Sequence, residues 1–214
     1  MAKAQLTTDE RETTRQRLSD AATAIYREQG VDAVSFRKLA ESVGLSHTLP
    51  YLYFDNKDAL LARMRQDGVG RFGVYLRSRE EPGEAPQQRL QALIAGFLDF
   101  VREHPADYQL IFSSYQPPPD RYPELLAARR ELFDHIVGVV ADCVGAGLLQ
   151  GEPRQITHGF WAALHGLMSL HVANQLVHGY SMDQLLWPMI RQIFGFVVQS
   201  ETPPQASASR RRRA

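Results

Sequence analysis

The chain has 214 residues, a formal net charge of zero and 44% hydrophobic residues, which is enough for one small and one medium domain with a real core. Its single cysteine, Cys143, excludes an internal disulfide, and no apolar run reaches the roughly 18 residues that a membrane-spanning helix needs. Nothing in the sequence indicates a secretory signal. We therefore expect a soluble, bacterial, cytoplasmic protein without a membrane partner.

An amphipathic helix is predicted near the N-terminus. Thr7 and Glu10 have the spacing of a capping box, and Gly30 is suited to end the helix. The apolar residues between them recur with the spacing of one buried helix face: Leu18, Ala21, Ala22, Ile25 and Tyr26. We expect this helix to cover the motif that follows.

Residues 35–54 predict a helix, a tight turn and a second helix. Leu39 and Val43 share one face of the first helix, and Gly44 lies where the turn needs a positive φ. Ser46 is the predicted N-cap of the second helix. Two short helices joined by about three residues form a helix-turn-helix, whose second helix lies in the major groove of DNA.

Four segments resemble, in this order and at this spacing, the DNA-binding domain of the tetracycline-repressor (TetR) family: Arg17-Leu-Ser-Asp-Ala-Ala, Tyr26-Arg-Glu-Gln-Gly-Val, Lys38-Leu-Ala-Glu-Ser-Val-Gly-Leu-Ser and Tyr51-Leu-Tyr-Phe-Asp-Asn-Lys-Asp-Ala-Leu60. The resemblance extends over about residues 10–65 without a gap. It implies an all-helical, homodimeric transcriptional regulator that binds a pseudo-palindromic operator and responds to a small-molecule effector. Family habit also favours a repressor over an activator.

The recognition segment departs from the family pattern. Members of the family usually have Ser-Lys-Gly-Thr-Leu-Tyr where this chain has Ser46-His-Thr-Leu-Pro-Tyr51. His47 exchanges a permanent charge for one that titrates near neutral pH, and Leu49 can contact only a thymine methyl or the sugar. Pro50 is tolerated in the first turn of a helix, and best at its first position. The sequence of the operator is therefore not predicted.

The predicted DNA contacts are Ser35, Arg37, Lys38, Ser46, His47, Thr48, Leu49, Tyr51 and Lys57. The resemblance implies that the Tyr51 hydroxyl donates to a phosphate; a packing ring is the alternative. Lys57 follows a predicted cap and would add its charge to helix-terminal amides that favour phosphate, or be a solvated lysine. Residues 1–65 carry ten Lys and Arg against nine Asp and Glu, so the prediction rests on the motif rather than on charge.

The remainder predicts six helices without an alternating strand, at about residues 57–79, 86–103, 106–114, 122–149, 153–177 and 182–199. The predicted fold is thus all-α: an N-terminal three-helix helix-turn-helix domain over residues 1–56, followed by a six-helix ligand-binding and dimerisation bundle over residues 57–201. Residues 202–214 form an Arg-rich tail that we expect to be disordered.

Residues 100–112 and 160–167, with Phe160-Trp-Ala-Ala-Leu-His-Gly-Leu167, resemble the Trp-Ala-x-x-His-Gly type of TetR regulatory domain. The resemblance implies that the last two helices form a four-helix interface across a two-fold axis. The predicted dimer contacts are Leu164, Leu167, Met168, His171, Gln175, Trp187, Ile190, Arg191 and Phe194.

An effector pocket is predicted among the middle helices. Its candidate lining residues are Phe97, Phe100, Tyr108, Phe112, Tyr115, Phe133, His135, Trp161 and His165. Core packing is the alternative for each aromatic residue, and a structural role is the alternative for His165. No cofactor is expected.

Two other classes of protein stay open. One is a sequence-neutral DNA-binding or protein-interaction module that depends on the Arg210–Arg213 run, and the other is a helical-bundle enzyme with His165 as base. The chain has no nucleophile elbow, phosphate loop or dinucleotide fingerprint, so we predict that it is not an enzyme. The histidines at 158, 165, 171 and 178 are spaced too widely to share a metal ion within one helix, so no metal site is predicted.

Overall fold

The computed structural model describes residues 7–112, 116–118 and 120–195. In these ranges the chain forms helices and no strand, which confirms the all-α prediction. The eight α-helices are α1 (Thr8–Gln29), α2 (Phe36–Ser42), α3 (Lys57–Arg77), α4 (Pro86–Glu103), α5 (Pro105–Phe112), α6 (Pro123–Gly145), α7 (Pro153–Val172) and α8 (Met182–Phe194). None of the helices in the described ranges is long and apolar enough to cross a bilayer.

Helix α1 begins and ends as its sequence predicts. The Thr7 N–H donates to Glu10 Oε2 at 2.8 Å, and the Glu10 N–H donates to Thr7 Oγ1 at 3.2 Å. At the other end, Gly30 takes a φ of +79° and its N–H donates to the Tyr26 carbonyl at 2.8 Å. The capping box and the glycine stop therefore fix both ends of the helix that covers the motif.

The N-terminal helices enclose a small core of their own. Its buried members come from α1, α2, the start of α3, one position of α5 and the connections before α2 and α3: Leu18, Ala22, Ile25, Val34, Phe36, Leu39, Phe54, Leu60, Leu61, Met64 and Leu110. Because α5 belongs to the C-terminal half of the chain, Leu110 ties the two halves together.

Helix α3 contributes to two cores along its 21 residues. Leu60 and Met64 are buried in the N-terminal core, whereas Phe72 and Leu76 are buried in the larger core formed with α4, α6, α7 and α8. The predicted domain boundary after residue 56 falls at the cap of this helix, where Asn56 Oδ1 accepts from the Ala59 N–H at 2.9 Å. One continuous helix therefore connects the helix-turn-helix to the bundle.

Two helices end earlier than the sequence predicts. Helix α6 stops before Gly147, which has a φ of +73°, and α7 stops before Asn174, which has a φ of +54°. After each of these residues the next N–H reaches back five positions, to the carbonyls of Cys143 and Leu170 respectively. Left-handed caps of this type terminate the helix and satisfy its last carbonyls.

Some predictions fall on residues outside the described ranges. They concern residues 113–114 at the end of the fifth helix of the chain, residues 196–199 of the last helix, and the tail from residue 202. The described part of α8 ends before Gly195, whose φ is +63°.

Candidate DNA-binding surface and internal cavity

The first helix and the turn of the helix-turn-helix segment form as the sequence predicts. Ser35 caps α2, its Oγ accepting from the Lys38 N–H at 3.3 Å, and Gly44 makes the turn with a φ of +66°. Beyond the turn no second α-helix follows. The chain instead makes successive tight turns, in which the Leu49 N–H donates to the Ser46 carbonyl at 3.0 Å and residues Pro50–Leu52 form a 3₁₀ turn.

Pro50 explains why the second element is not an α-helix. An α-helix starting at Ser46 would need the N–H of residue 50 to bond to the Ser46 carbonyl, and proline has no N–H. The carbonyl accepts from Leu49 instead, three positions on, which is the 3₁₀ pattern. The predicted N-cap role of Ser46 is wrong, because its hydroxyl pairs with Thr48 Oγ1 at 3.2 Å.

The turns at residues 46–52, called the recognition turn below, expose both polar and apolar side chains. Tyr51 is 64% exposed and Leu52 is 63% exposed, and Ser46, His47 and Thr48 are exposed beside them. Leu49 is half-buried and Pro50 is buried. Leu52 was missed by the sequence analysis, since a leucine inside such a motif is more often a core residue.

Tyr51 makes a packing contact and yet remains exposed. One edge of its ring packs on Phe36 of α2, with the ring centroids 4.6 Å apart and the planes at 79°. Most of the side chain nevertheless remains exposed. The packing contact therefore positions the ring without removing it from the surface.

The arginine and lysines that are predicted to contact DNA differ in whether a carboxylate already neutralises their charge. Arg37 pairs with Glu41 at 3.1 Å on the exposed face of α2. Lys38 donates to the side chain of Gln29, and Lys57 Nζ donates to the Val31 carbonyl at 2.8 Å. Both lysines thus have neutral partners, which they can exchange for a phosphate without breaking an ion pair.

A cavity of about 630 Å³ lies among α3, α4, α5, α6 and α7, a volume within the range that holds small-molecule ligands. Most of its wall is apolar and aromatic. Five of the predicted ligand residues line it: Phe97, Phe112, Phe133, Trp161 and His165. The helical bundle therefore brings together the larger part of the predicted pocket.

Three predicted ligand residues lie behind the wall rather than in it. Phe100 packs against Phe72, with centroids 4.6 Å apart, and Tyr108 is buried behind His165. His135 Nε2 lies 2.5 Å from Glu80 Oε1, on the side of α6 that meets the end of α3. Phe100 and Tyr108 support the cavity, and the sequence pattern could not distinguish a supporting aromatic residue from a lining one. Tyr115 lies outside the described residues.

His165 is held neutral beside the cavity. Burial lowers its pKa, and its Nδ1 lies 2.8 Å from the Tyr108 hydroxyl. Burial also raises the pKa of Tyr108 to about 12, with the Ser169 hydroxyl acting in the opposite direction. Since Tyr108 stays protonated it is suited to donate to Nδ1, which leaves the Nε2–H of His165 as a donor.

The burial of His165 should make the stability of the fold depend on pH. At pH values well above 6.5, the ordinary pKa of histidine, both the folded and unfolded states are neutral at this position. As the pH falls, the unfolded state takes up the proton first, so folding loses free energy. We expect the midpoint of thermal unfolding to fall less between about pH 7.5 and 5.5 in His165→Gln than in the wild type.

The matched control is His178→Gln, since His178 is an exposed histidine between α7 and α8 that lies outside the proposed interfaces. It should retain the wild-type dependence on pH. Identical slopes for the wild type and both variants would contradict the buried, neutral assignment of His165.

Helix α5 connects the cavity to the DNA-binding half through an ion pair. Asp107 is 4% exposed, and its carboxylate accepts from Arg27 of α1 at 2.8 Å (Nε) and 2.6 Å (Nη2). Arg71 Nε of α3 lies 3.8 Å away. The same eight-residue helix places Ile111 and Phe112 in the cavity wall. The sequence analysis missed this link, because 80 residues separate Arg27 from Asp107.

A second polar cluster joins α1 to α3. Asp67 accepts from the Ser19 hydroxyl at 2.6 Å and from Arg63 Nε at 2.9 Å. The Arg63 side chain is 7% exposed and also donates to Gln16 Oε1 at 2.5 Å. The orientation of α1 on α3 is therefore fixed by directional bonds as well as by apolar packing.

The predicted dimer contacts divide into two groups. Leu164, Leu167, Met168 and Ile190 are buried in the core of the protomer, where α7 packs on α6 and α8. His171, Gln175 and Arg191 are exposed and Trp187 is half-buried; the side chain of Phe194 lies outside the described part. A face that already packs inside the protomer cannot also meet a second copy, so the four buried residues are corrected to core positions.

The outer face of α7 carries small and apolar residues instead. Ala162, Gly166 and Leu170 recur every four residues along it and are all exposed, Leu170 to 47%. A Cβ added at Gly166 would meet no atom within 4 Å. This face is therefore open and can be approached closely by another helix.

A helix-turn-helix joined by a shared helix to a bundle with an internal cavity defines a DNA-binding regulator rather than an enzyme. Family models agree with this class. Residues 18–64 match the model of bacterial regulatory proteins of the tetR family, and residues 90–193 match a tetracyclin repressor-like C-terminal domain. The chain belongs to the TetR family of transcriptional regulators.

Individual relatives are similar over most of the chain. The HTH-type transcriptional activator FasR of Mycolicibacterium smegmatis is 26% identical over 153 residues, 71% of this chain and 69% of its own length. The HTH-type transcriptional regulator BetI of Serratia proteamaculans is 28% identical over 160 residues, 72% of this chain and 78% of its own length. A solved structure of a protein with unknown function from Rhodococcus sp. RHA1 has a TM-score of 0.71 and 25% identity, over 83% of this chain and 92% of that chain.

Proposed function

We propose that this regulator is a ligand-responsive homodimer that binds a pseudo-palindromic operator and is released when a small molecule with an apolar or aromatic body occupies its cavity. The position of α5 carries the proposal. Its residues line the cavity at one end and hold α1 of the DNA-binding half at the other. A ligand that shifts α5 would therefore change the population of the form that fits DNA.

The DNA-binding role is supported by the exposed recognition turn and the two lysines with neutral partners. Tyr51 stands on the surface, positioned by Phe36, and its hydroxyl can donate to a phosphate. His47 and Thr48 lie in the same turn and offer hydrogen-bonding groups to base edges. Lys38 and Lys57 would add phosphate contacts, so affinity should fall with rising salt.

The dimer would form through the outer face of α7 together with the neighbouring face of α8. Leu170 supplies exposed apolar surface, while Ala162 and Gly166 permit close contact between the two helices. His171 and Arg191 lie at the exposed margin as polar contacts. Two copies related by a two-fold axis place their recognition turns at a fixed separation, which sets the spacing of the operator half-sites.

The direction of control is assigned to repression. One similar protein is named an activator, so the family alone does not decide this point. A promoter carrying the selected operator in front of a reporter gene decides it: expression rises on deletion of the regulator if the protein represses, and falls if it activates.

Selection of genomic DNA fragments by the purified protein, read out by sequencing, tests the function as a whole. We expect enrichment of one or a few pseudo-palindromic sites. Tyr51→Ala should weaken binding to these sites at least about a hundredfold, because a hydrogen bond to a charged group contributes about 1.5–3 kcal/mol and the dimer loses two of them. Fluorescence anisotropy with a labelled operator gives the affinities.

Tyr180→Ala is the matched control, since Tyr180 is 63% exposed but lies in the segment before α8. It should bind like the wild type. A chain shortened by residues 202–214 should keep its operator preference. Absence of enrichment across a range of salt concentrations, or loss of most affinity on removal of the tail, would instead favour a sequence-neutral DNA-binding module.

A further inference from the structure

The charged residues that line the cavity are all arginines. Arg129, Arg130 and Arg154 line it, and no Asp or Glu occurs among its lining residues in the described part of the chain. Arg154 is already engaged, with Nη2 2.6 Å from Asp134 Oδ1. The other two arginines give the cavity a positive potential without a neighbouring carboxylate to offset it.

Arg129 is the deeper of these two. It is half-buried, whereas Arg130 is exposed, and one of its Nη atoms donates to the side-chain oxygen of Gln116. Within the described residues no carboxylate lies within ion-pairing distance of this guanidinium. Burial lowers the pKa of Arg129, and the positive charge of Arg65 lowers it further.

A half-buried guanidinium without a counter-ion is unfavourable unless an anion occupies the space in front of it. Guanidinium groups hold carboxylates through two parallel hydrogen bonds, and such bonds gain strength where water is excluded. Most of the remaining wall is apolar, with Phe72, Phe97, Phe133 and Leu93 among its members, and its other polar side chains are Gln116, Thr157, His158 and His165. The cavity thus combines one cationic site with a large apolar compartment.

We propose that the effector is an amphipathic carboxylate, whose anionic group binds Arg129 and whose hydrocarbon body fills the aromatic compartment. This inference rests on the proposed effector function of the cavity and specifies its ligand class. An organic cation would meet the same positive potential without a carboxylate partner, and is disfavoured.

Gln116 links the proposed carboxylate site at Arg129 to helix α5. Its side-chain amide donates to the Ile111 carbonyl at 3.1 Å while its oxygen accepts from Arg129. A carboxylate that takes over the guanidinium displaces this oxygen, and so changes the contact at the end of α5. The same helix holds Arg27 through Asp107.

Three probes with the same ten-carbon chain separate the effect of head-group charge from that of the hydrocarbon body: decanoate, decanol and decyltrimethylammonium. Each is titrated calorimetrically into the full-length protein at about pH 7.5. We expect decanoate to bind at least about tenfold more tightly than decanol, and decyltrimethylammonium to bind most weakly. Arg129→Gln should reduce decanoate affinity about tenfold and leave decanol unchanged, which shows that the cavity is still folded. Arg129→Lys should restore part of the preference.

Arg121→Gln is the control, because it removes an exposed arginine that does not line the cavity and should leave decanoate affinity unchanged. Equal binding of decanoate and decanol, failure of decanoate to bind, preference for the cation, or an equal loss in Arg129→Gln and Arg121→Gln would each overturn the proposal. Operator binding by the ligand-free protein is measured in parallel. Its absence would contradict the proposed function without bearing on the carboxylate preference.

Discussion

Replacement of Asp107 by alanine is expected to lower the free energy of unfolding by about 2–4 kcal/mol, since breaking a buried ion pair typically costs 3–5 kcal/mol and Arg27 is partly solvated. The substitution removes a bidentate contact to Arg27 and the nearby charge that faces Arg71. Two nitrogens of Arg71 are already buried without a hydrogen-bond partner, so its charge becomes less favourable still. Urea unfolding measures the loss.

Asp99→Ala is the matched control for this prediction. Asp99 lies in α4 and makes longer ion pairs, at 3.8 Å to Arg79 and 3.4 Å to Arg102, between partly exposed side chains. Surface pairs of this type contribute about 0–1 kcal/mol, so the control should stay within that range. Equal effects of the two substitutions would contradict a special role for Asp107.

The same variant also tests how the cavity communicates with DNA. If α5 transmits occupancy through Asp107, then Asp107→Ala should bind a cavity ligand with nearly wild-type affinity but lose most of the ligand-induced release from the operator. The measurement is operator affinity with and without saturating ligand. An unchanged ratio of these two affinities would show that coupling runs through other contacts.

Leu170→Asp is expected to convert the proposed dimer into a monomer and to reduce operator affinity by about a hundredfold or more. Two carboxylates would face each other across the two-fold axis in place of two leucines, which adds repulsion and desolvation to the loss of apolar contact. A monomer keeps only half of the phosphate and base contacts. Light scattering after size-exclusion chromatography gives the mass, and anisotropy gives the affinity.

Val74→Asp provides the corresponding control on α3, where Val74 is 64% exposed and away from α7 and α8. It places the same charge on an exposed apolar position and should leave both mass and operator affinity unchanged. A Leu170→Asp protein that is still dimeric, or a monomer with full operator affinity, would refute the proposed interface.

Local chemistry made much of this fold predictable. Thr7 with Glu10, Gly30 and Gly44 act through their immediate neighbours, and each behaves in the structure as its sequence context predicts. Pro86 opens α4 at the predicted position, because a proline fits the first turn of a helix. The first helix and the turn of the predicted helix-turn-helix, and the number of helices in the bundle, follow from the same short-range rules.

What the sequence could not provide depends on contacts between distant segments. Helix α7 is apolar on nearly every face, so its periodicity did not reveal that Leu167 and Met168 face the core while Leu170 faces outward. The ion pair of Arg27 with Asp107 has no local signature at all. At Pro50 the missing N–H is visible in the sequence, and it prevents the second α-helix that the family pattern predicts.

The length of helix α3 gives the proposed regulation a mechanical basis. Its 21 residues span about 30 Å, from Lys57 beside the helix-turn-helix to Leu76 beside the cavity. A tilt of only about 5° about the cavity end would move Lys57 by about 2–3 Å, close to the length of a hydrogen bond. In the proposed two-fold dimer both copies of α3 would tilt, so the separation of the two recognition turns would change by up to twice that distance. Small rearrangements of the cavity wall would then produce a misfit with the pitch of the double helix.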